Sequence, residues 1–380
     1  MANSFRRALA ALSLCLSSVV ALGTASAQSP AAREPIKIGV ILPLSGAGAG
    51  LGIPIHSGVM LAGKTINAAG GFKGRPLQLI VEDDTTNPDV AVAKANALVH
   101  GQKVVALIGP NQTANSVAVG GITHPLKLTN LVFSGLGPAI ERERKCVLHM
   151  GPAQELNARA MLEYAKSIGA RKMGALYDSG YGTVVFNELR KYADSYGVEF
   201  VATEKFEIGA TDTTAQAAKI RAAQPDAIFV VGITGVPIRS IRQLQMKQPI
   251  ISAIGQASYE IVRSMGDAAD NVVFPEFLVA EDPLPHQKAF VELYRQEYNR
   301  LPKITEAIGW DSVQALLKAF EKVGPDAGNE KLCGAIRGPY PGVLTQYDFS
   351  ADDMNGIKLN SFVFSKLVNG QFTRLPFQIK

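Results

Sequence analysis

Short apolar runs alternate with amphipathic segments along most of the chain. The first four runs are rich in Val, Ile and Leu, and they span residues 36–42, 77–81, 104–108 and 131–134. Between the first two runs, Ile55, Val59, Ala62 and Ile66 recur at the spacing of one helix face. Because parallel strands need a crossover connection, usually a helix, this alternation predicts a parallel sheet covered by helices.

The same alternation starts again after Gly151 and Pro152. Apolar runs recur at residues 173–177, 198–206, 227–231, 250–254 and 272–274. Helical spacing then fills residues 285–336, and strand-like runs close the chain at residues 344–349 and 361–367. Two successive series of this kind predict an α/β fold with two doubly wound parallel-sheet lobes.

The predicted lobes are each built from two pieces of the chain. Residues 35–150 with 278–346 are expected to form the first lobe, and residues 151–277 with 347–380 the second. The chain then crosses between the lobes three times at a hinge, near Met150, Phe277 and Tyr347. A single hydrophobic core stops growing at roughly 250–300 residues, so a chain of this length favours two lobes around a cleft.

The first 27 residues have the composition of an export signal. Arg6 and Arg7 precede an apolar run at residues 8–23, and residues 25–27 supply a small-x-small cleavage site. We therefore expect residues 1–27 to be removed by cleavage near Ala27. No later run approaches the roughly 20 uninterrupted apolar residues of a membrane helix.

Charge and cysteine content narrow the function further. The formal net charge of +5 falls to +3 when the two leader arginines are removed, and no basic stripe indicates nucleic-acid binding. Cys146 and Cys333 follow the leader and lie far apart in sequence. An oxidising compartment would permit them to pair, and two buried free thiols are equally compatible with the sequence.

Several motifs, taken in order, resemble those of one family. They are residues 38–46, 67–77 with 82–84, 105–110, 177–182, and Trp310 with Asp311. Their order and spacing resemble the periplasmic branched-chain amino-acid binding family, the type I solute-binding proteins of ABC transporters. The resemblance covers essentially the whole mature chain. It implies a monomeric periplasmic receptor, not an enzyme and without a cofactor, which closes on a small solute and docks on the permease subunits of a transporter.

The resemblance places ligand contacts of the first lobe after its strands. Thr113 follows the run at 104–108, where a helix is expected to start, and matches the hydroxyl that holds the ligand carboxylate in the family. The free N–H groups of a helix start favour an anion, although Thr113 could instead be a simple helix cap. Ser134, with backbone donors at Leu136 and Gly137, matches the second carboxylate-binding loop.

Three more residues are expected to line the first wall of the cleft, which the first lobe forms. An aromatic residue is expected on the opposite wall, which the second lobe forms. Ser45 and Leu51 lie in the loop after the first strand, and Gln112 precedes Thr113. Tyr181 matches an aromatic residue that lines the family's cleft from the second lobe, although loop packing is an alternative role. The resemblance therefore implies a cleft with a polar end for a carboxylate and apolar walls.

Two departures from the family pattern bear on the ligand. Amino-acid binders of the family hold the ligand ammonium with an aromatic and an acidic residue, and the aligned positions here are Ile233 and Gln256. A buried ammonium without a negative partner costs several kcal/mol. A small carboxylate without an amine is therefore expected, an aromatic acid or an aromatic or branched 2-oxo acid. Glu276 or Glu281 could supply the missing charge, which would restore amino-acid binding.

Other sites and function classes fit less well. Trp310 or Phe277 could add a further wall to the cleft. The glycine-rich residues 45–52 do not match the dinucleotide fingerprint G-x-G-x-x-G, and the histidines lack metal-ligand spacing. His149, near the first crossing, is interpreted as structural, with ligand contact as the alternative. A soluble sensor that reports to a membrane receptor remains the alternative from another class.

Overall fold

Two sheets with helices packed against them form the framework of the protein. A computed structural model describes residues 33–350 and 354–380, so the predicted leader lies outside the described residues. Strand and helix alternate as the apolar pattern predicts, and the α/β class is confirmed. No helix within the described ranges is long and apolar enough to cross a membrane.

The first sheet has five parallel strands in the order β2-β1-β3-β4-β5. They are β1 Ile36–Leu42, β2 Leu77–Asp83, β3 Ala106–Ile108, β4 Asn130–Val132 and β5 Val147–His149. The helices that follow or cover these strands are α1 Ala49–Ala68, α2 Pro88–Asn96, α3 Thr113–Thr123 and α4 Pro138–Glu143. The carboxyl ends of all five strands meet at one edge, where α1 and α3 begin.

The second sheet has seven strands in the order β14-β13-β10-β9-β8-β6-β7. They are β6 Lys172–Asp178, β7 Glu199–Phe206, β8 Ala227–Val231, β9 Ile250–Ser252, β10 Val272–Glu276, β13 Val363–Val368 and β14 Gln371–Arg374. Strands β6 to β10 are parallel, whereas β13 and β14 add an antiparallel edge. The parallel sheet predicted for this half thus carries an antiparallel edge in addition, where a short turn joins two strands that need no crossover helix.

The helices of the second half complete the pattern. Those beside the second sheet are α5 Gln154–Ser167, α6 Tyr181–Tyr192, α7 Thr214–Ala222, α8 Val236–Gln243 and α9 Tyr259–Met265. The helical stretch predicted at 285–336 consists of α10 Lys288–Tyr298, α11 Ile304–Val323 and α12 Asn329–Ile336. The run predicted at 344–349 pairs only in a separate two-stranded hairpin, β11 Pro339–Pro341 with β12 Gln346–Asp348.

Helices α1 and α11 approach unusually closely because each has a glycine at the contact. A Cβ atom at Gly58 would lie 1.9 Å from the Glu306 carbonyl oxygen, and one at Gly309 would lie 2.2 Å from that of Ile55. Ile55, Val59 and Ala62 are buried as predicted. Any side chain at either glycine would push the two helices apart. The close contact therefore holds α11 against α1, the helix that follows the first strand of the first sheet.

The core is continuous across both sheets. One hydrophobic cluster contains Val40 of β1 and Leu316 of α11 together with Phe364 of β13. In β8, the neighbouring residues Ile228 and Phe229 are both fully buried but belong to different clusters, so both faces of the second sheet are covered. This is the burial expected of strands with helices on both sides.

The segment at the first predicted crossing pairs with the returning end of the chain. The His149 N–H donates to the Met354 carbonyl at 2.8 Å, and the Gly356 N–H donates to the His149 carbonyl at 3.2 Å. Asp311 of α11 accepts the N–H groups of Val343 at 2.7 Å and of Leu344 at 3.0 Å. Hydrogen bonds thus hold the segments near the first and third predicted crossings, and the lobe boundaries stay a prediction.

Cys146 and Cys333 form a disulfide. The sequence left open whether the two cysteines pair or stay as buried free thiols, and the structure shows that they pair. The bond joins the residue before β5 to α12, across a sequence separation of 187. The loop that it closes includes strands β6 to β10. Because it constrains a long stretch of the unfolded chain, its contribution to stability is expected to be large.

We expect the Cys146→Ser/Cys333→Ser double variant to lose about 2–4 kcal/mol of unfolding free energy, because its unfolded chain is no longer cross-linked. Guanidinium unfolding of the purified proteins measures the loss. A reductant should lower the midpoint of the wild type toward that of the variant and leave the variant unchanged. Equal midpoints for the oxidised wild type and the variant would show that the bond contributes nothing.

Candidate functional site

The predicted contacts of the first wall lie at the carboxyl edge of the first sheet. Asp83, at the end of β2, holds the loop after β1 through three hydrogen bonds from Leu44 N–H at 2.9 Å, Ser45 N–H at 3.3 Å and Ser45 Oγ at 2.6 Å. Burial opposes ionisation of Asp83, but the hydrogen bonds from Ser45, Thr85 and Leu44 outweigh it and hold the pKa below its usual value. The Ser45 hydroxyl is thus committed to positioning its own loop.

A second contact ties this loop to the start of α3. Thr86 accepts the Gly48 N–H at 2.9 Å and donates to the Ser45 carbonyl at 3.2 Å. A Cβ atom at Gly48 would lie 2.9 Å from the Gln112 side-chain nitrogen, so the glycine lets Gln112 lie against the loop. Leu51, in the first turn of α1, is 50% exposed. The structure therefore places Gln112 against the loop that carries Ser45 and leaves Leu51 half exposed.

Helix α3 begins at Thr113, as the sequence predicts. Gln112 occupies the N-cap position but its side chain makes no capping hydrogen bond, and Thr113 is exposed as the first helical residue. Thr113 is therefore not the cap itself. The N–H groups of the first turn of a helix have no intrahelical partners and carry partial positive charge, so this end of α3 is suited to an anion.

The 134–137 loop follows β4, which ends at Val132, earlier than predicted. Ser134 is half-buried, and its Oγ lies 3.3 Å from Ser116 Oγ of α3. The Leu136 N–H, one of the two predicted backbone donors, donates to Glu141 Oε1 at 2.8 Å. Gly137 is exposed. The loop therefore lies beside α3 as expected, but the amide of Leu136 is engaged within the protein.

The loops of the opposite wall are organised by Asp178, at the end of β6. Its fully buried carboxylate accepts the N–H groups of Gly180 at 2.9 Å, Gly182 at 2.7 Å and Ile233 at 3.1 Å. One side chain thus fixes both the turn that begins α6 and the loop after β8. The sequence analysis included Asp178 in the motif at residues 177–182 but assigned it no role, although an acidic residue directly after an apolar strand is a usable signal.

Tyr181 is half-buried at the start of α6. Its hydroxyl accepts a hydrogen bond from the side-chain nitrogen of the buried Asn157 at 2.8 Å, and burial raises the pKa of Tyr181 above its ordinary value. A Cβ atom at Gly255 would lie 3.0 Å from the tyrosine ring. The ring therefore packs across the loop after β9, which connects it to the segment that carries Gln256.

Ile233 and Gln256 bring no negative charge to this wall. Ile233 is 50% exposed, and its side chain is apolar. Gln256 is fully buried, accepts a hydrogen bond from Ser252 Oγ at 2.5 Å and donates to the Thr234 carbonyl at 2.7 Å. The Gln256 amide thus holds the loop on which Ile233 lies, and direct contact of either residue with a ligand stays a prediction.

The two glutamates considered as ammonium partners are placed differently. Glu276 is buried and paired with the buried Lys303 at 2.7 Å, and its other oxygen accepts from Ser365 Oγ. Burial raises the pKa of Glu276, while Lys303 opposes that shift. Glu281 is half-buried near Tyr259, whose pKa is raised by burial and then by this carboxylate. Glu276 already has its counter-charge within the protein.

The aromatic residues considered as further walls are part of the core. Phe277 is fully buried, with its ring centroid 4.3 Å from that of Phe362. Trp310 packs on Phe290 at 5.5 Å between centroids.

His149 is also buried, and its Nδ1 lies 3.7 Å from Glu141 Oε1. No cluster of three or more His, Cys, Asp or Glu side chains suited to a metal occurs in the described part of the chain.

The sequence of the chain matches a known family over most of its length. Residues 35–362 match the family model described as periplasmic binding protein. A protein of Pseudomonas aeruginosa named amino acid binding protein is 26% identical over 328 residues, which cover 84% of this chain and 85% of that protein. The family that the sequence motifs resemble is thereby confirmed.

Solved structures of similar proteins share the fold. The branched-chain amino acid transporter substrate-binding protein LivJ of Streptococcus pneumoniae, solved with isoleucine, has a TM-score of 0.79 at 24% identity and covers 91% of this chain and 100% of its own. An ABC transporter solute-binding protein of Rhodopseudomonas palustris, solved with 3,4-dihydroxybenzoic acid, has a TM-score of 0.78 at 21% identity, covering 91% and 96%. The type I periplasmic-binding-protein fold predicted for the chain is confirmed.

We expect Asp178→Asn to lower the unfolding free energy by about 2–4 kcal/mol, because the amide keeps only one acceptor oxygen and turns an NH2 group toward N–H donors that the other oxygen accepts. Urea unfolding measures this loss. Asp226→Asn is the matched control, since Asp226 also accepts two backbone N–H groups, at 2.9 and 2.8 Å, but is exposed. The control should cost less than about 1 kcal/mol. Similar losses in both variants would contradict a special role for Asp178.

Proposed function

Because this chain belongs to the periplasmic binding protein family, we propose that it is the substrate-binding protein of an ABC importer for a small carboxylate that lacks an amine. Aromatic acids and aromatic or branched 2-oxo acids are the favoured ligands. The protein is proposed to be exported, with residues 1–27 removed near Ala27, and to act as a monomer that passes its ligand to membrane permease subunits.

The observation that carries the ligand class is that neither position assigned to an ammonium partner, Ile233 or Gln256, carries an acidic side chain. Ile233 is apolar, the Gln256 amide is used by Ser252 and Thr234, and Glu276 is paired with Lys303. An ammonium buried there would be uncompensated, at a cost of several kcal/mol. A ligand without an amine avoids that cost.

The start of α3 is the proposed carboxylate site. Thr113 is exposed there, no side chain caps the helix, and Ser134 and Ser116 lie beside each other at the neighbouring loop. Hydroxyl and backbone donors at the positive end of an 11-residue helix favour a carboxylate over a neutral group. Leu51 and Ile233, both half exposed, offer apolar surface for the rest of the ligand.

Binding is proposed to close two lobes over the ligand. The first lobe is residues 35–150 with 278–346 and the second is 151–277 with 347–380. This division keeps each of the two large sheets within one lobe and cuts the small hairpin within β12. Thr113 and Ser134 then contact the ligand from one side, and Tyr181 and Ile233 from the other. Such contacts form only when both lobes engage the ligand, so binding favours the closed state.

Amino-acid binding is the second candidate, and the relatives favour it. The Pseudomonas relative is named amino acid binding protein, and the Streptococcus structure contains isoleucine. The Rhodopseudomonas structure, in contrast, contains 3,4-dihydroxybenzoic acid, a carboxylate without an amine. The same fold therefore accommodates both ligand classes, and the residues at the ammonium position decide between them.

A thermal-shift panel tests the ligand class on protein refolded free of bound solute. We expect benzoate, phenylpyruvate or 4-methyl-2-oxopentanoate to stabilise the protein, by about 4 kcal/mol for a micromolar ligand at millimolar concentration. Leucine, isoleucine, valine and phenylalanine are the matched compounds with an amine. Stabilisation by the amino acids alone would overturn the proposal and support the second candidate.

We expect Thr113→Ala to weaken binding of the stabilising acid by about 1–3 kcal/mol, because one buried oxygen of the ligand loses its donor. Thr113→Ser should retain most of the affinity. Thr214→Ala is the control, since Thr214 is also the first helical residue of its helix but has no predicted ligand role. Calorimetric titration gives the three dissociation constants, and an unchanged value for Thr113→Ala would remove Thr113 from the site.

A further inference from the structure

Lys303 connects the two halves of the fold through its side chain. Its backbone belongs to the first half, since Lys303 lies at the N-cap of α11 and its N–H donates to Glu306 Oε2 at 2.9 Å. Helix α11 is itself packed against α1 through Gly58 and Gly309. The Lys303 ammonium, in contrast, lies 2.7 Å from Glu276 Oε2, at the end of β10 in the second sheet. One side chain thus joins a helix packed on the first sheet to a strand of the second.

The groups around the Lys303 ammonium belong to the second sheet and its helices. Its Nζ lies 3.2 Å from the centre of the Phe372 ring of β14 and 5.0 Å from that of the Tyr259 ring of α9, both within the range of cation–π contact. The other oxygen of Glu276 accepts a hydrogen bond from Ser365 of β13. Lys303 and Glu276 are only 7% and 3% exposed. The ammonium therefore occupies a pocket that is shielded from solvent.

This pocket lies at the second predicted crossing between the lobes. Glu276 directly precedes Phe277, whose carbonyl accepts a hydrogen bond at 2.8 Å from the side-chain nitrogen of the buried Gln287. The same nitrogen donates to the Val343 carbonyl at 3.1 Å, near the third crossing. Lys303 and Gln287 thus both hold the chain where it passes between the two halves. Because a hinge absorbs its motion in a few backbone torsions, a side chain fastened beside it limits which torsions can change.

We propose that Lys303 is a hinge anchor, which fastens the first lobe to the second beside the crossing at Phe277 and limits the range over which the cleft opens. The inference rests on the lobe closure of the proposed function. A buried ion pair adds little net stability compared with apolar side chains, but removal of one partner leaves the other charge uncompensated. Orientations of the lobes that withdraw the ammonium from Glu276 are therefore unfavourable.

Distances between two spin labels measure this restriction in ligand-free protein. Labels at Ala47→Cys and Glu207→Cys, both exposed after the carboxyl ends of strands in the two sheets, report the opening of the cleft. We expect a narrow distance distribution in the labelled wild type and a broader one in Lys303→Met, which keeps an unbranched side chain without the ammonium. Lys64→Met is the matched control, since Lys64 pairs with Glu297 at 2.6 Å but is exposed and lies within the first half. The control should leave the distribution unchanged.

A second variant separates the anchor from a general loss of stability. Lys303→Met alone leaves Glu276 buried without its counter-charge and is expected to weaken the fold. Lys303→Met/Glu276→Gln removes both charges, so its urea midpoint should lie closer to that of the wild type while its distance distribution stays broad. Equal widths for the wild type and either folded variant would overturn the inference.

The ligand-free comparison also separates this inference from the proposed function. Benzoate, phenylpyruvate, 4-methyl-2-oxopentanoate and leucine are then added to the labelled wild type. Distances that shorten with none of these compounds would contradict the proposed closure over such ligands. The widths measured before their addition decide the role of Lys303 in either case.

Discussion

Hydrogen bonds from backbone amides to internal carboxylates are the interactions on which the rest of the structure depends. Asp83, Glu141, Asp178 and Asp311 each accept at least one main-chain N–H from a loop or turn. For Glu141 the donor lies in the loop just before its own helix, and for the other three it lies far away in sequence. A buried charge is costly unless it is hydrogen-bonded, so each loop must adopt the conformation that presents its donors. Three of these carboxylates lie at the carboxyl edges of the sheets. They therefore fix the loops that are proposed to line the cleft.

Because these backbone N–H groups already have acceptors within the protein, they are not available to bind a ligand. Loop 45–48 is committed to Asp83 and Thr86, the Leu136 amide to Glu141, and the Ile233 amide to Asp178. No side chain caps the start of α3, which is also true of α1, α4 and α8. Lys303 and Glu276 are likewise paired within the protein. The Lys303 ammonium lies 2.7 Å from the Glu276 carboxylate and 3.2 Å from the centre of the Phe372 ring. Such a pair is satisfied internally and has little left to offer a solute.

The sequence predicted the fold well because strands buried on both faces must be apolar throughout, and β1 and β8 have the bounds that their apolar runs indicate. It also placed the start of α3 correctly, since a strand followed by glycine and proline must turn there. The contact of Leu136 with Glu141, the pairing of Cys146 with Cys333 and the antiparallel edge at β13 were beyond it. These features depend on tertiary placement, which no local pattern encodes.

Similarity to relatives establishes the family and the fold, whereas the ligand class depends on the side chains of the site. Family membership establishes a binding protein with this fold, and similar proteins have been solved with isoleucine and with 3,4-dihydroxybenzoic acid. Both ligands carry a carboxylate, and only one carries an amine. A helix start with free donors serves that shared group, whereas an amine needs a free acidic side chain on the opposite wall. Gln256 and Ile233 occupy those positions here, and the proposal of a ligand without an amine rests on their lack of negative charge rather than on the fold.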